Sequence, residues 1–104
     1  MSELARIPAG SVPDGQAVRI PGGPCGICVV RAGDRFFAVE DRCSHAEVLL
    51  SEGMVDLEDC TIECWKHGSA FSLLDGQPQS LPATMSIEVY GVRIDGDELV
   101  VEEK

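Results

Sequence analysis

The sequence predicts an all-β fold, in which an antiparallel β-sandwich or barrel base carries a small inserted subdomain. Eleven Gly and six Pro separate short apolar runs, a pattern typical of strands joined by tight turns. The 104 residues match the size of one domain. Polar residues, Cys and His interrupt the strand pattern only between residues 42 and 83. We therefore expect a single domain over 1–104, with the base formed by 1–41 and 84–104 and the subdomain by 42–83.

Eight short strands are expected in chain order, because each run is rich in the apolar and β-branched residues that favour strands. They are Glu3–Ile7, Ala17–Ile20, Ile27–Arg31, Phe36–Glu40, Cys60–Glu63, Ala70–Leu73, Ile87–Ile94 and Glu98–Glu102. Turn signals lie at Pro13-Asp14-Gly15, Pro21–Pro24, Gly33-Asp34, Asp75-Gly76 and Asp95-Gly96-Asp97. The last is the clearest hairpin, since Gly supplies the positive φ that a tight connection requires. Only Ala46–Ser51 is weakly helical.

The charge balance disfavours two classes of partner. Eighteen acidic and eight basic residues give a formal net charge of −10, so the chain lacks the basic footprint that nucleic-acid binding needs. An anionic membrane surface would repel it for the same reason. Residues 1–10 show no signal-peptide pattern, and no run approaches the ~20 apolar residues of a spanning helix. We expect no nucleic-acid partner, no membrane partner and a cytoplasmic location.

Two short motifs each combine a thiol with an imidazole. They are Cys43-Ser44-His45 and Cys64-Trp65-Lys66-His67, and together they use both His of the chain. A lone Cys-x-His is usually a core thiol beside a surface imidazole, but two such pairs argue against that interpretation. The chain has five Cys, an odd number that cannot all pair within it. In a reducing compartment, such cysteines are more often metal-bound or free than joined as disulfides.

The ligand set Cys43, His45, Cys64 and His67 is compatible with two kinds of metal centre. Zinc accepts two Cys and two His in a tetrahedron, although its usual spacing places two Cys together and then two His together. Here each loop mixes the two types, which suits a dinuclear site to which each loop gives one ligand per metal. Two Cys would then share one iron and two His the other, as in a Rieske [2Fe-2S] centre.

The wider sequence resembles the Rieske-type ferredoxins. Cys-x-His followed by Cys-x-x-His-Gly-Ser is similar to the family's ligand signature. Outside the ligands, the resemblance extends to Leu50-Ser51-Glu52-Gly53 after the first loop, to Phe71 through Gly76 after the second, and to Leu81-Pro82-Ala83, which resembles the proline loop that covers the cluster. The resemblance spans essentially the whole chain and implies a Rieske-type fold whose inserted subdomain binds the cluster.

The resemblance also implies a function. The chain is expected to be a soluble one-electron carrier with one [2Fe-2S] cluster, which passes electrons from a flavin-dependent ferredoxin reductase to a terminal, aromatic-ring hydroxylating oxygenase. Docking would be transient and the carrier a monomer. The His-bearing iron would lie at the protein tip, with Trp65 and Lys66 exposed there.

Three further residues are candidates to support the cluster. Ser69 lies two residues after His67 and either donates its hydroxyl to a cluster sulfur or is a solvated loop hydroxyl. Gly68 would let the backbone pass close to the cluster with its N–H pointing inward. Pro82 would shield the cluster from water.

High-potential members of the family carry two bridging cysteines and a Tyr, at the positions where this chain has Val48, Lys66 and Phe71.

The remaining cysteines are expected to be free thiols. Cys25 and Cys28 form a Cys-x-x-Cys, but no second pair exists to complete a zinc site and no βαβ pattern surrounds them. Cys60 is expected to be a buried small hydrophobe.

Three other functions fit the sequence less well than an electron carrier does. A structural zinc module that mediates protein contacts is the alternative, and colour would distinguish it. A catalytic oxygenase subunit needs a further iron held by two more His and a carboxylate, and no His remains. A quinol-oxidising respiratory subunit is disfavoured because no membrane anchor is present.

Overall fold

The computed structural model describes residues 3–23, 26–42, 49–65, 68–79 and 86–103. In these ranges the chain forms strands and two short 3₁₀ turns, arranged in two antiparallel sheets. The strands are β1 (Glu3–Pro8), β2 (Ala17–Ile20), β3 (Ile27–Ala32), β4 (Arg35–Glu40), β5 (Met54–Asp56), β6 (Thr61–Glu63), β7 (Ala70–Ser72), β8 (Val89–Asp95) and β9 (Glu98–Glu102). The all-β prediction is confirmed.

The larger sheet is curled and has six strands in the order β1-β9-β8-β4-β3-β2. Two tight hairpins organise it: Ala32 pairs with Arg35 across Gly33-Asp34, and Asp95 pairs with Glu98 across Gly96-Asp97. Both connections are Gly-Asp pairs that the sequence marks as turns, and two-residue loops of this kind suit the twist of antiparallel strands. Sequence-adjacent runs therefore become neighbouring strands in the sheet.

The smaller sheet has three strands in the order β5-β6-β7. The central strand β6 pairs with both neighbours, so that Glu63 faces Met54 on one side and Ala70 on the other. Cys64 follows β6 directly. The small sheet thus brings the start of the second Cys/His motif to one end of a paired strand.

The core has two layers, one on each face of β3 and β4. Cys28 and Val30 belong to one cluster, and Ile27 and Val29 to the other, as expected when successive side chains of a strand point to opposite faces. The first cluster also contains buried residues that follow β4 in the chain, namely Leu50, Ile62, Cys64, Phe71, Leu73 and Ile87. Both sheets therefore contribute to one hydrophobic core, and the small sheet is packed onto the base.

The backbone of Gly53 lies very close to the backbone of β6. The 3₁₀ turn Leu50–Glu52 ends at Gly53, and a Cβ at Gly53 would lie 1.8 Å from the carbonyl oxygen of Glu63. The φ of Gly53 is −88°, which any residue can adopt, so glycine is required here for space alone. The Leu50–Glu52 turn and β6 are consequently in direct main-chain contact.

Several predicted elements differ from the structure. Strand β5 was missed, because a three-residue strand is too short to show a period. Cys60 is not part of β6, and β8 begins at Val89, two residues later than expected. In the weakly helical segment 46–51, residues 46–48 lie outside the described ranges and Leu50 begins a 3₁₀ turn. No helix in the described ranges is long and apolar enough to cross a membrane.

Candidate metal centre

Only one of the four predicted ligands is among the described residues. Cys64 is described, whereas Cys43, His45 and His67 lie outside the described residues, as does Pro82. The surroundings of Cys64 and the two ends of the first ligand loop therefore define the site. That the four ligands lie close together remains a prediction.

Cys64 is fully buried at the end of β6 and belongs to the core cluster shared by the two sheets. Its backbone N–H donates to the carbonyl of Ser69 at 2.7 Å, and its carbonyl accepts from the N–H of Gly68 at 2.9 Å. These two bonds close a tight turn over residues 64–69. The turn therefore brings the backbone of Ser69 back to that of Cys64, and the predicted ligand His67, between them in sequence, lies outside the described residues.

Gly68 closes this turn in the left-handed region, with a φ of +73°. Among the described residues, a Cβ here would meet only the Oε1 atom of Glu63, at 3.9 Å, and the positive φ is what favours glycine at this position. The N–H of Gly68 donates to the carbonyl of Cys64 and so helps to close the turn. An approach of this N–H to a cluster remains a prediction.

Ser69 and Trp65 have opposite environments. Ser69 is fully buried, which excludes the solvated loop hydroxyl that the sequence left open. Trp65 is 57 % exposed, as expected, and its place at the tip beside the cluster remains a prediction. The turn therefore places a buried hydroxyl residue and a buried thiol at its base and an exposed aromatic ring beyond them.

Sequence reasoning missed Asp41, a fully buried carboxylate directly after β4. It accepts hydrogen bonds from the backbone and hydroxyl of Ser51 and from the guanidinium of Arg19. The only sequence signal is its position, since an acidic residue directly ends an apolar strand two residues before Cys43. Its partners are distant in sequence, so the tertiary fold alone identifies them.

The other cysteines differ in burial. Cys28 is fully buried in β3, and burial, together with the negative charge of Asp41, raises the pKa of its thiol. Cys60 is only half-buried and has a φ of +57°, which corrects the expectation of a buried residue. Partial burial raises the pKa of Cys60, and the nearby charge of Arg35 opposes that effect. Cys25 lies outside the described residues.

The described residues fit an iron–sulfur group. Cys64 offers a buried thiol, and Cys thiolates are the ligands of iron–sulfur clusters. Ser69 is fully buried on the same turn, and its donation of a hydrogen bond to a cluster sulfur remains a prediction. The turn is closed by main-chain hydrogen bonds.

The surface beside Cys64 is acidic. Asp56, Glu58, Asp59 and Glu63 line an open groove over the small sheet, together with the exposed Met54 and Leu57. The described residues that line this groove include no basic residue. A basic partner surface would therefore be attracted to the side of the molecule that carries β6 and the second motif.

Sequence comparison gives a consistent result over nearly the whole chain. A model of the Rieske [2Fe-2S] domain matches residues 3–91. The chain is 35% identical over 102 residues to the 3-phenylpropionate/cinnamic acid dioxygenase ferredoxin subunit of Shigella flexneri serotype 5b (strain 8401). That alignment covers 98% of this chain and 94% of the relative.

Solved structures agree with the sequence comparison. The ferredoxin of carbazole 1,9a-dioxygenase from Nocardioides aromaticivorans IC177 superposes with a TM-score of 0.92 at 30% identity, covering all of both chains. A complex of reduced oxygenase and oxidized ferredoxin in carbazole 1,9a-dioxygenase contains a chain that matches with a TM-score of 0.86 at 35% identity. This match covers 99% of the present chain and 94% of the other.

Proposed function

The chain belongs to the Rieske [2Fe-2S] domain family, and from this premise we propose that it is the ferredoxin component of an aromatic-ring hydroxylating dioxygenase system. It carries one [2Fe-2S] cluster and transfers electrons; it is not the catalytic oxygenase. One observation carries the proposal: the similarity extends over 98% of this chain and 94% of a dioxygenase ferredoxin subunit. The match is therefore to a whole small carrier.

We propose that Cys43 and Cys64 hold one iron and that His45 and His67 hold the other. The cluster supplies reversible one-electron chemistry when bound. The chain's part is to exclude water and limit rearrangement, and buried Cys64 in a turn closed by main-chain hydrogen bonds suits both tasks. We assign Ser69 and Gly68 to the support of the second ligand loop, and Pro82 to the cover of the cluster.

The proposed partners are a flavin-dependent ferredoxin reductase and a terminal oxygenase, each bound transiently by a monomeric carrier. The acidic groove and the formal charge of −10 favour partners with basic docking faces. Exposed Trp65, next to Cys64, offers an apolar contact at the same end. A cytoplasmic location is part of the proposal.

The proposed domain organisation is one domain over 1–104, with the base at 1–41 and 84–104 and the cluster-binding subdomain at 42–83. Strands β5, β6 and β7 all lie within 42–83, and they form a sheet of their own. Their shared core with β3 and β4 supports a dependent subdomain, not a separately folding unit.

The test is the metal content and spectrum of the purified protein. We expect a red-brown protein with two irons and two acid-labile sulfides per chain, and a reduced form whose electron paramagnetic resonance shows mixed Cys/His ligation. Reduction by an NADH-linked flavoprotein reductase and reoxidation by a terminal oxygenase then test the carrier role. One zinc without sulfide, in a colourless protein, would instead indicate the structural zinc module.

A further inference from the structure

Asp41 is a buried carboxylate to which the proposed function assigns no role. With Ser69, it is one of two fully buried polar or charged residues in the described part of the chain. Burial of a carboxylate is costly unless charged or polar donors bind its oxygens. The positions of its donors therefore indicate what this buried charge does.

Three donors bind the two carboxylate oxygens. Ser51 donates its backbone N–H to Oδ1 and its hydroxyl to Oδ2, both at 2.7 Å. The Nη1 atom of Arg19 donates to Oδ2 at 2.9 Å, and the Arg19 side chain is 44% exposed. Hydrogen bonds to an ionised acceptor are roughly twice as strong as neutral ones. The carboxylate thus links β2, the end of β4 and the 3₁₀ turn Leu50–Glu52.

Two further contacts hold Asp41 and Arg19 in place. The backbone N–H of Asp41 donates to the carbonyl of Gly26 at 3.1 Å. A Cβ at Gly26 would lie 2.7 Å from the Arg19 guanidinium, so glycine at this position leaves the space that the guanidinium occupies. The ion pair is therefore built into the base of the fold, on the side where β4 ends.

The chain between Asp41 and Ser51 is the first ligand loop. Residues 42–50 leave the base at Asp41 and return at Ser51, and they include the proposed ligands Cys43 and His45. Hydrogen bonds between the two ends reduce the number of conformations open to the loop. Fewer conformations must then be given up when the loop binds a cluster.

We propose that Asp41 is the positioning residue of the first ligand loop: through Ser51 and Arg19 it holds both loop ends where cluster binding requires them. The inference rests on the proposed function, because it takes Cys43 and His45 as ligands. It adds that cluster retention depends on a carboxylate that lies outside the ligand motifs. The role is mechanical.

The experiment compares four variants of the cluster-containing protein. Ser51→Ala removes one bond to Asp41, Ser51→Thr retains a hydroxyl, and Asp41→Asn removes the charge. Asp95→Asn is the matched control, because Asp95 is an exposed carboxylate of the β8–β9 hairpin that binds Arg6. The measurements are the rate at which an iron chelator bleaches the visible absorption and the electron paramagnetic resonance spectrum of the reduced protein.

We expect Ser51→Ala to speed the bleaching about fivefold, the effect of losing one net hydrogen bond. Asp41→Asn should speed the bleaching more than tenfold, since a charged acceptor is lost. It should also shift the electron paramagnetic resonance spectrum of the reduced protein. Ser51→Thr and Asp95→Asn should match the wild type. If Asp41→Asn does not fold, the comparison of Ser51→Ala with Ser51→Thr decides alone.

Wild-type bleaching rates and spectra in Ser51→Ala and Asp41→Asn would overturn the positioning role, even if both variants unfolded at lower temperature. That result would leave the proposed function intact, because all variants would still carry the cluster. A wild-type protein that lacks iron and sulfide would instead overturn the proposed function. The two failures are therefore distinguishable.

Discussion

The backbone amide of Cys64 donates a hydrogen bond to the carbonyl of Ser69 at 2.7 Å. The bond joins the last residue before the second ligand turn to the first residue after it that is fully buried. As a result, the backbones of two fully buried residues that are five positions apart in sequence are held next to each other.

Replacement of the glycine in this turn should weaken the site through backbone strain. Gly68→Ala places a side chain at a φ of +73°, which costs about 1 kcal/mol even where there is room for the methyl group. We expect a lower unfolding midpoint and faster loss of the cluster to a chelator. Gly10→Ala is the control, because Gly10 has no atom within 4 Å of the added Cβ and no positive φ. Equal stability of the two variants would contradict the argument.

Two fully buried cysteines should respond differently to removal. Cys64→Ala should abolish iron and sulfide binding, since it deletes a proposed thiolate ligand. Cys28→Ala should retain both, with a loss of about 1 kcal/mol in the free energy of unfolding from the lost buried sulfur. Iron and sulfide analysis of both proteins decides the matter. An iron-free Cys28→Ala protein that is folded by circular dichroism would refute the assignment.

Thiol alkylation should separate Cys28 from Cys60. Cys28 has no exposed surface and its pKa is raised by burial, so iodoacetamide at pH 8 should leave it unmodified in the folded protein. Cys60 is half-buried with a raised pKa, so it should react slowly and faster as the pH increases, because only the thiolate attacks. Mass spectrometry of the labelled peptides measures both rates. Both thiols should react readily after denaturation; rapid labelling of Cys28 in the folded state would be the contrary result.

The reduction potential should lie near the low end of the Rieske range, closer to about −150 mV than to about +300 mV. Hydrogen bonds to cluster sulfurs stabilise the more negative reduced form and raise the potential. Phe71 is fully buried in the cluster of core residues that contains Cys64, and it lacks the hydroxyl of a Tyr. Phe71→Tyr should therefore raise the potential, and Ser69→Ala should lower it.

Protein-film voltammetry measures these shifts directly, with Ser72→Ala as the control. Ser72 is on the same small sheet, and its hydroxyl accepts a hydrogen bond from the N–H of Leu74. An unchanged potential in Ser69→Ala would contradict the proposal that the Ser69 hydroxyl donates a hydrogen bond to a cluster sulfur. A wild-type potential well above zero would point to an electron acceptor other than an oxygenase.

Electron transfer from the reductase should depend on the acidic groove. Glu63 is exposed and directly precedes Cys64, so Glu63→Gln should slow the second-order rate at low salt and flatten its decrease with rising salt. Added salt screens the attraction over about 8 Å at physiological ionic strength. Asp97→Asn, in the β8–β9 turn of the base, should have little effect. An electron-transfer rate that is independent of salt concentration would show that the net charge does not guide docking and contributes to solubility only.

Much of this protein could be predicted from local sequence. Paired Gly-Asp turns between Val- and Ile-rich runs determine the hairpins of the base, because turn geometry and strand preference act over a few residues. The proposed ligand set likewise comes from local sequence, since Cys43, His45, Cys64 and His67 stand at short spacings and use every His in the chain. The exposure of Trp65 is expected from its place within the second motif.

The tertiary structure decided the features that depend on distant contacts. The burial of Ser69 and the half-exposure of Cys60 depend on how the small sheet packs against β3 and β4, which no local pattern encodes. Strand β5 exists because β6 pairs with it, since three residues have too little intrinsic preference. Asp41 is an ordinary acidic residue in the sequence; only the fold brings Arg19 and Ser51 to its two oxygens and makes a buried charge stable.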